Sequence, residues 1–173
     1  NTPYAVDHPR DPVNAYGRSK AEGERHIEQS GVDHLLIRTS WLYAPWGKNF
    51  VTTMARLTRE RETLDVVDDQ HGRPTSAMHL SRTSLALLHR QARGLWHVTD
   101  SGTCTWFDLA CFIRDRIDAD CRIEPCTSEQ FPRPAPRPGY SVLDLDKTES
   151  LLGPMTPWRE QVQHTLDQMK ARL

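Results

Sequence analysis

At 173 residues the chain fits a single domain able to bury roughly 70% of its unfolded surface. Its 22 basic and 23 acidic side chains leave a net charge of -1, which gives no electrostatic reason to expect nucleic acid or an acidic membrane as a partner. No apolar run approaches the ~20 residues that span a bilayer and the start does not resemble a signal peptide, so a cytoplasmic protein is expected.

Residues 1–13, NTPYAVDHPRDPV, hold three prolines and no sustained period, and read as a loop. Asn14 can cap a helix running to about Ser30, closed by Gly31 in the left-handed conformation that ends helices. Within it, Tyr16 and Lys20 stand four residues apart and therefore project from one face. A fixed ammonium beside a phenol favours the phenolate, which makes a general acid for a carbonyl oxygen whose carbon receives hydride. The same spacing also suits an ordinary solvent-facing pair. Gly17 and Gly23 lie inside this helix at a cost of about 1 kcal/mol each relative to Ala, which close packing at both would explain.

The apolar run 34–43, HLLIRTSWLY, predicts a buried strand. A helix follows over 49–62 with Phe50, Met54 and Leu57 as its stripe, then a short strand over 63–69, a helix over 80–92 and a strand over 94–102. Thr103 or Thr105 can cap a helix beginning at Trp106, and RIEPC (122–126) is a short extended piece. FPRPAPRPG (131–139) carries four prolines and reads as a stiff loop, either a plain connector or one that presents side chains to a ligand. Helices over 143–153 and 156–173 close the chain, the second with Pro157 in its first turn. Helices alternating with short strands mean an α/β fold. The four cysteines lack metal-site spacing and are expected to be reduced, mostly buried thiols, with Cys104 and Cys111 sharing a helix face. No metal is expected.

Four blocks in order, PVNAYGRSKAEGE, LIRTSWLYAPWGKNFVTTMARL, VVDDQHGRPTSAMHL and RPAPRPGYSVLDLDK, resemble the C-terminal portion of the dTDP-4-dehydrorhamnose reductases, within the extended short-chain dehydrogenase/reductase superfamily. The resemblance implies reduction of the 4-keto group of dTDP-4-dehydro-6-deoxy-L-mannose to dTDP-L-rhamnose by NADPH or NADH. Tyr16 would then donate the proton, and Lys20 would lower its pKa and hold the nicotinamide ribose. Thr39 and Ser40 would lie near the nicotinamide, and Trp41 against the sugar unless it packs in the core. Asn49, Phe50, Gln70, Arg73, Pro74 and Thr75 fall in blocks that frame the dTDP-sugar in such enzymes, although Asn49 equally suits a helix cap. Arg137 would either pair with the diphosphate or remain a surface arginine.

No phosphate-cradling glycine fingerprint occurs, and the hydrophobic content of 37% is low, as is the mean hydropathy of -0.66. The chain is therefore expected to be a C-terminal part of a Rossmann-like fold, with the N-terminal dinucleotide-binding half absent and the fragment alone inactive. Residues 1–48 would be a remnant of the cofactor domain, and 49–173 mainly the sugar-nucleotide subdomain with some elements returning to the cofactor domain. The stretch SAMHL after Thr75 lacks the carboxylate that some relatives use in a magnesium-bridged dimer, and a homodimer stays open. Two other functions stay open with it, a noncatalytic nucleotide-binding regulatory subunit and another sugar-nucleotide epimerase or dehydratase.

Overall fold

The computed structural model of the chain describes residues 2–132 and 134–171. Helix α1 (Ala15–Gln29) starts as its sequence predicts: Asn14 Oδ1 accepts from the Gly17 amide at 2.8 Å, satisfying an amide that a helix start leaves without an internal partner. A Cβ on Gly17 would meet Pro12 Cβ at 3.0 Å, so the leading loop packs closely there. Nothing packs against Gly23, and the expected close approach at that position is absent.

The run 34–43 is two strands rather than the single one expected. β1 (Leu35–Arg38) and β2 (Leu42–Tyr43) are separated by Trp41, whose backbone takes a φ of +45°. A side chain in that left-handed region costs roughly 1–2 kcal/mol, and packing of the indole offsets it. Helix α2 (Phe50–Glu60) opens on a capping box in which Asn49 accepts from the Thr52 amide and Thr52 Oγ1 accepts from the Asn49 amide. Next come β3 (Thr63–Val67), β4 (His71–Gly72) and β5 (Thr75–Ser76). Ser76 caps α3 (Ala77–His89), which is why that helix begins three residues before the expected start at Leu80. β6 (Gly94–His97) is shorter than the expected strand, and β7 (Cys104–Thr105) leads into α4 (Trp106–Arg116) through a Thr105–Asp108 capping box. β8 (Arg122–Cys126), α5 (Asp146–Leu152) and α6 (Trp158–Lys170) complete the chain. Pro157 precedes α6 instead of occupying its first turn, and residues 172 and 173, expected in that helix, lie outside the described residues.

Parallel pairs β1–β6, β2–β5 and β3–β8 and the antiparallel pair β4–β7 form the sheet structure. Among the described residues two hydrophobic cores result. The larger gathers Val51 and Met54 of α2, Leu109 and Ile113 of α4 and Val162 and Leu166 of α6 against Val66 and Ile123 of the β3–β8 pair. The smaller packs Leu87 of α3 and Leu151 and Leu152 of α5 against Leu35, Ile37 and Trp96 of the β1–β6 pair. Fully buried Asp100 accepts from the Ser76 amide at 3.0 Å, Tyr43 Oη at 3.2 Å and His79 Nδ1 at 2.6 Å, so one carboxylate pins α3 to β2 and β5. Burial raises its pKa, and these donors, His79 foremost, oppose the rise.

All four cysteines are free, but Cys104 lies on β7 and therefore shares no helix face with Cys111 of α4. Among the described residues no helix is long and apolar enough to cross a membrane. Ile113 has no exposed surface and sits at the centre of the larger core. Truncation to Ala is expected to cost about 2–5 kcal/mol, read as a lowered urea midpoint at unchanged slope.

Candidate active site

Asn14 fixes where α1 begins, and this orients Tyr16, Lys20 and Glu24 along one face. That face lines a cleft of about 490 Å³ whose other walls are the leading loop, the end of β1 and residues 138–143. Tyr16 is 72% exposed, and the Lys20 ammonium lies 5.4 Å from the centre of its ring. Thr39 and Ser40, directly beyond β1, share the cleft; Ser40 Oγ donates to the Arg73 carbonyl at 2.7 Å, which fixes the strand end. The leading loop is held in place by a backbone pair, Tyr4 N to Val142 O at 2.8 Å and Asp144 N to Tyr4 O at 2.9 Å, and by Tyr4 packing near Tyr140.

The floor of the cleft is ionic. Glu24 accepts from Arg38 Nε at 2.8 Å and Nη2 at 2.6 Å in a bidentate pair, and from Arg10 Nε at 2.5 Å; Arg10 also pairs with Glu28. One carboxylate thus ties α1 to the end of β1 and to the leading loop. Hydrogen bonding from Arg38 holds Glu24 below the ordinary carboxylate range, with Arg10 adding to the effect and partial burial opposing it.

The other expected site residues divide into two groups. Trp41, Phe50 and Gln70 converge on Trp106, the first residue of α4. Trp41 stacks on its indole with ring centroids 3.6 Å apart and planes at 10°, Phe50 packs at 4.6 Å, and Gln70 Oε1 accepts from Trp106 Nε1 at 3.1 Å. Asn49 is spent locally, capping α2 while its Nδ2 donates to the Ala44 and Trp46 carbonyls at 2.9 and 3.1 Å. Pro74 and Thr75 are buried, and the Thr75 amide donates to the Trp41 carbonyl at 3.2 Å. Arg73 is half-buried; desolvation lowers its pKa against the pull of Glu149 and Asp144. Arg137 is exposed beside Pro138 of the cleft wall, and the neighbouring Pro136 carbonyl accepts from Asn14 Nδ2 at 2.9 Å.

The sequence gives no site role to Trp106, Tyr4, Tyr140 or the Arg10–Glu24–Arg38 cluster. Only Glu24 left a signal there, lying on the Tyr16–Lys20 face at the next helical repeat.

A family model of the RmlD substrate binding domain matches residues 1–171. The chain belongs to that family. As an RmlD substrate binding domain it is similar to the dTDP-4-keto-6-deoxy-D-glucose reductase of Streptomyces niveus, 40% identical over 90% of this chain and 55% of the relative. It is 38% identical to the dTDP-4-dehydrorhamnose reductase of Mycolicibacterium smegmatis, over 94% of this chain and 51% of that enzyme. The structure superposes on the dTDP-4-dehydrorhamnose reductase of Bacillus anthracis in complex with NADP with a TM-score of 0.91, at 35% identity, covering 96% of this chain and 59% of the other. The fold is thus that of the C-terminal, substrate-binding portion of an extended short-chain dehydrogenase/reductase, and the chain spans little more than half the length of these relatives.

Because Glu24 has a lowered pKa when folded, its contribution to stability is complete above the ordinary carboxylate value of about 4.5 and is lost as pH falls through the folded value. Glu24→Gln is expected to cost about 1–3 kcal/mol at pH 7. The gap in Tm between the two proteins should close as the pH is taken below 4.5.

Proposed function

We propose that this chain is the sugar-binding part of a cytoplasmic NAD(P)H-dependent reductase that converts dTDP-4-dehydro-6-deoxy-L-mannose to dTDP-L-rhamnose. The observation that carries the reading is the Tyr16–Lys20 face, exposed on a cleft whose opposite edge is the strand end bearing Thr39 and Ser40. Ligands of open α/β folds bind beyond the carboxyl ends of the strands, where these two residues stand. Residues 1–48, with the β1–β6 pair and α3 and α5 of the smaller core, would belong to the cofactor domain, and the larger core to the sugar-nucleotide subdomain.

The residues fit a dinucleotide on chemical grounds: Lys20 brings three ammonium donors suited to ribose hydroxyls, and Thr39 and Ser40 bring hydroxyls to the same cleft. Bound NAD(P)H supplies hydride to the sugar C4. As charge develops on the C4 oxygen, the Tyr16 hydroxyl gives it a proton, and the Lys20 ammonium stabilises the phenolate that remains. The proton leaves Tyr16 and ends on the product hydroxyl. Trp41 meets the sugar face, which an indole recognises by apolar contact with ring C–H groups, and Arg137 faces the diphosphate.

In the protein extended upstream by its nucleotide-binding half, oxidation of NADPH followed by absorbance with dTDP-4-dehydro-6-deoxy-L-mannose is expected to give turnover. Tyr16→Phe should lower it by about 10²–10⁴-fold with NADPH binding retained. Turnover undiminished in Tyr16→Phe would remove the tyrosine from the chemistry. A folded, NADPH-binding protein that leaves this sugar unreduced would sink the assignment and favour a regulatory subunit or another sugar.

A further inference from the structure

Three of the chain's four tyrosines, Tyr4, Tyr16 and Tyr140, line the cleft, whereas the fourth, Tyr43, is buried and donates its hydroxyl to Asp100. Tyr4 and Tyr140 come from distant parts of the chain and are brought together by main-chain bonds. The Gly139 carbonyl accepts from the His71 amide at 2.8 Å and the Ser141 amide donates to the His71 carbonyl at 2.9 Å, so the residues on either side of Tyr140 are both tied to β4. The same segment carries the backbone pair with Tyr4 through Val142 and Asp144. The backbone thus sets where both tyrosines stand. Their rings make only a loose tilted contact, with centroids 6.0 Å apart and planes at 58°, and His8 meets Tyr4 in a T-shaped contact at 4.8 Å. Tyr4 is 37% exposed, and Tyr140 is half-buried with its hydroxyl open to solvent. Among the described residues neither of these hydroxyls has a hydrogen-bond partner. A tyrosine that serves packing spends its hydroxyl as Tyr43 does; these two keep theirs for whatever fills the cleft.

We propose that Tyr4 and Tyr140 bind the hexose of a nucleotide-sugar ligand, their phenol hydroxyls bonding ring hydroxyls of the sugar beside the carbon that Tyr16 serves. The inference rests on the proposed function in placing the hexose C4 at the Tyr16 hydroxyl. With Lys20, Thr39 and Ser40 given to the dinucleotide, the wall left for the sugar is the one built from the leading loop and residues 138–143, where both tyrosines stand. The chemistry suits a hexose: its hydroxyls donate and accept, a phenol hydroxyl does both, and the phenol ring adds apolar surface for sugar C–H groups. Because main-chain bonds already hold Tyr4 and the 139–144 segment, little ordering of the wall accompanies binding.

Calorimetric titration of the upstream-extended protein with dTDP-L-rhamnose, dTDP and NADPH tests this without requiring turnover. Tyr4→Phe and Tyr140→Phe each remove one hydroxyl and keep the ring, so the packing of the leading loop is retained. Each is expected to weaken dTDP-L-rhamnose by about three- to tenfold, and the double variant by about tenfold or more, leaving dTDP and NADPH within about twofold. Weakening of dTDP to the same degree would mark a general defect of the cleft and overturns the proposal, as does unaltered dTDP-L-rhamnose affinity in the folded double variant. If one single variant does not fold, the other decides. Should the unaltered protein bind dTDP-L-rhamnose no more tightly than dTDP, the hexose has no binding wall and the proposal falls, whether or not Tyr16-dependent turnover is found. Should the protein reduce no 4-keto sugar yet lose dTDP-L-rhamnose selectively in the phenylalanine variants, the sugar contacts stand and only the reductase reading falls.

Discussion

Between Arg38 and Leu42 the chain leaves one strand partner and takes another, and the left-handed backbone of Trp41 is what permits the change. β1 runs beside β6 and contributes to the smaller core; two residues past the turn, Tyr43 belongs to the larger. The backbone records the transfer: the Arg38 carbonyl accepts from Val98, next to β6, and the Trp41 carbonyl accepts from Thr75 of β5. A straight strand would carry residues 39–43 alongside β6 and leave β5 without a partner. The tryptophan that makes the turn also fills the space beside Gly72 and Trp106, so the strain and the packing that offsets it reside in one side chain.

The same short segment is where electrostatics meets the fold. Arg38 ends β1 and is gripped by Glu24 from α1, and Thr39 and Ser40 follow directly. The face carrying Tyr16 and Lys20 therefore cannot slide along the strand end without separating a two-pronged ion pair whose carboxylate side chain is only 14% exposed. Pairs shielded to this degree resist salt screening better than exposed ones such as Arg56–Glu60. Arg10 extends the restraint to the leading loop, which otherwise rests on Pro12 against Gly17 and on the Tyr4 backbone pair. Three walls of the cleft are thus fastened through one carboxylate.

What could be read in the sequence was local. Asn14, Asn49 and Thr105 announced three helices because a cap acts within three residues, and Tyr16 and Lys20 share a face because helical geometry requires it. The α/β class followed from alternation of such elements. The break at Trp41 was hidden because an apolar run has the same composition whether it pairs with one partner or two. The missing three residues of α3 depended on Ser76, whose capping role is indistinguishable from an ordinary loop serine until Asp100, 24 residues later, pins its amide. Cys104 was drawn into a helix because its spacing to Cys111 fits one, whereas Thr105 starts the helix only after Cys104 has paired in a strand.

For the candidate site the same division has a sharper form. Asn49 had two plausible uses, and its side chain can serve only so many partners: one oxygen caps α2 and the amide nitrogen holds two loop carbonyls. Trp41 also had two, sugar contact or packing, and its indole lies between Trp106 on one face and Gly72 on the other. The residue it stacks on is Trp106, 65 positions away, whose indole N–H donates to Gln70 through a hydrogen bond that no periodicity encodes. Side chains satisfied within a few residues of themselves have little left for a ligand; those supported by distant elements can afford a free surface. By that criterion the Tyr16–Lys20 face, more than the Asn49 cap or the Trp41 stack, is where this fold leaves chemistry available.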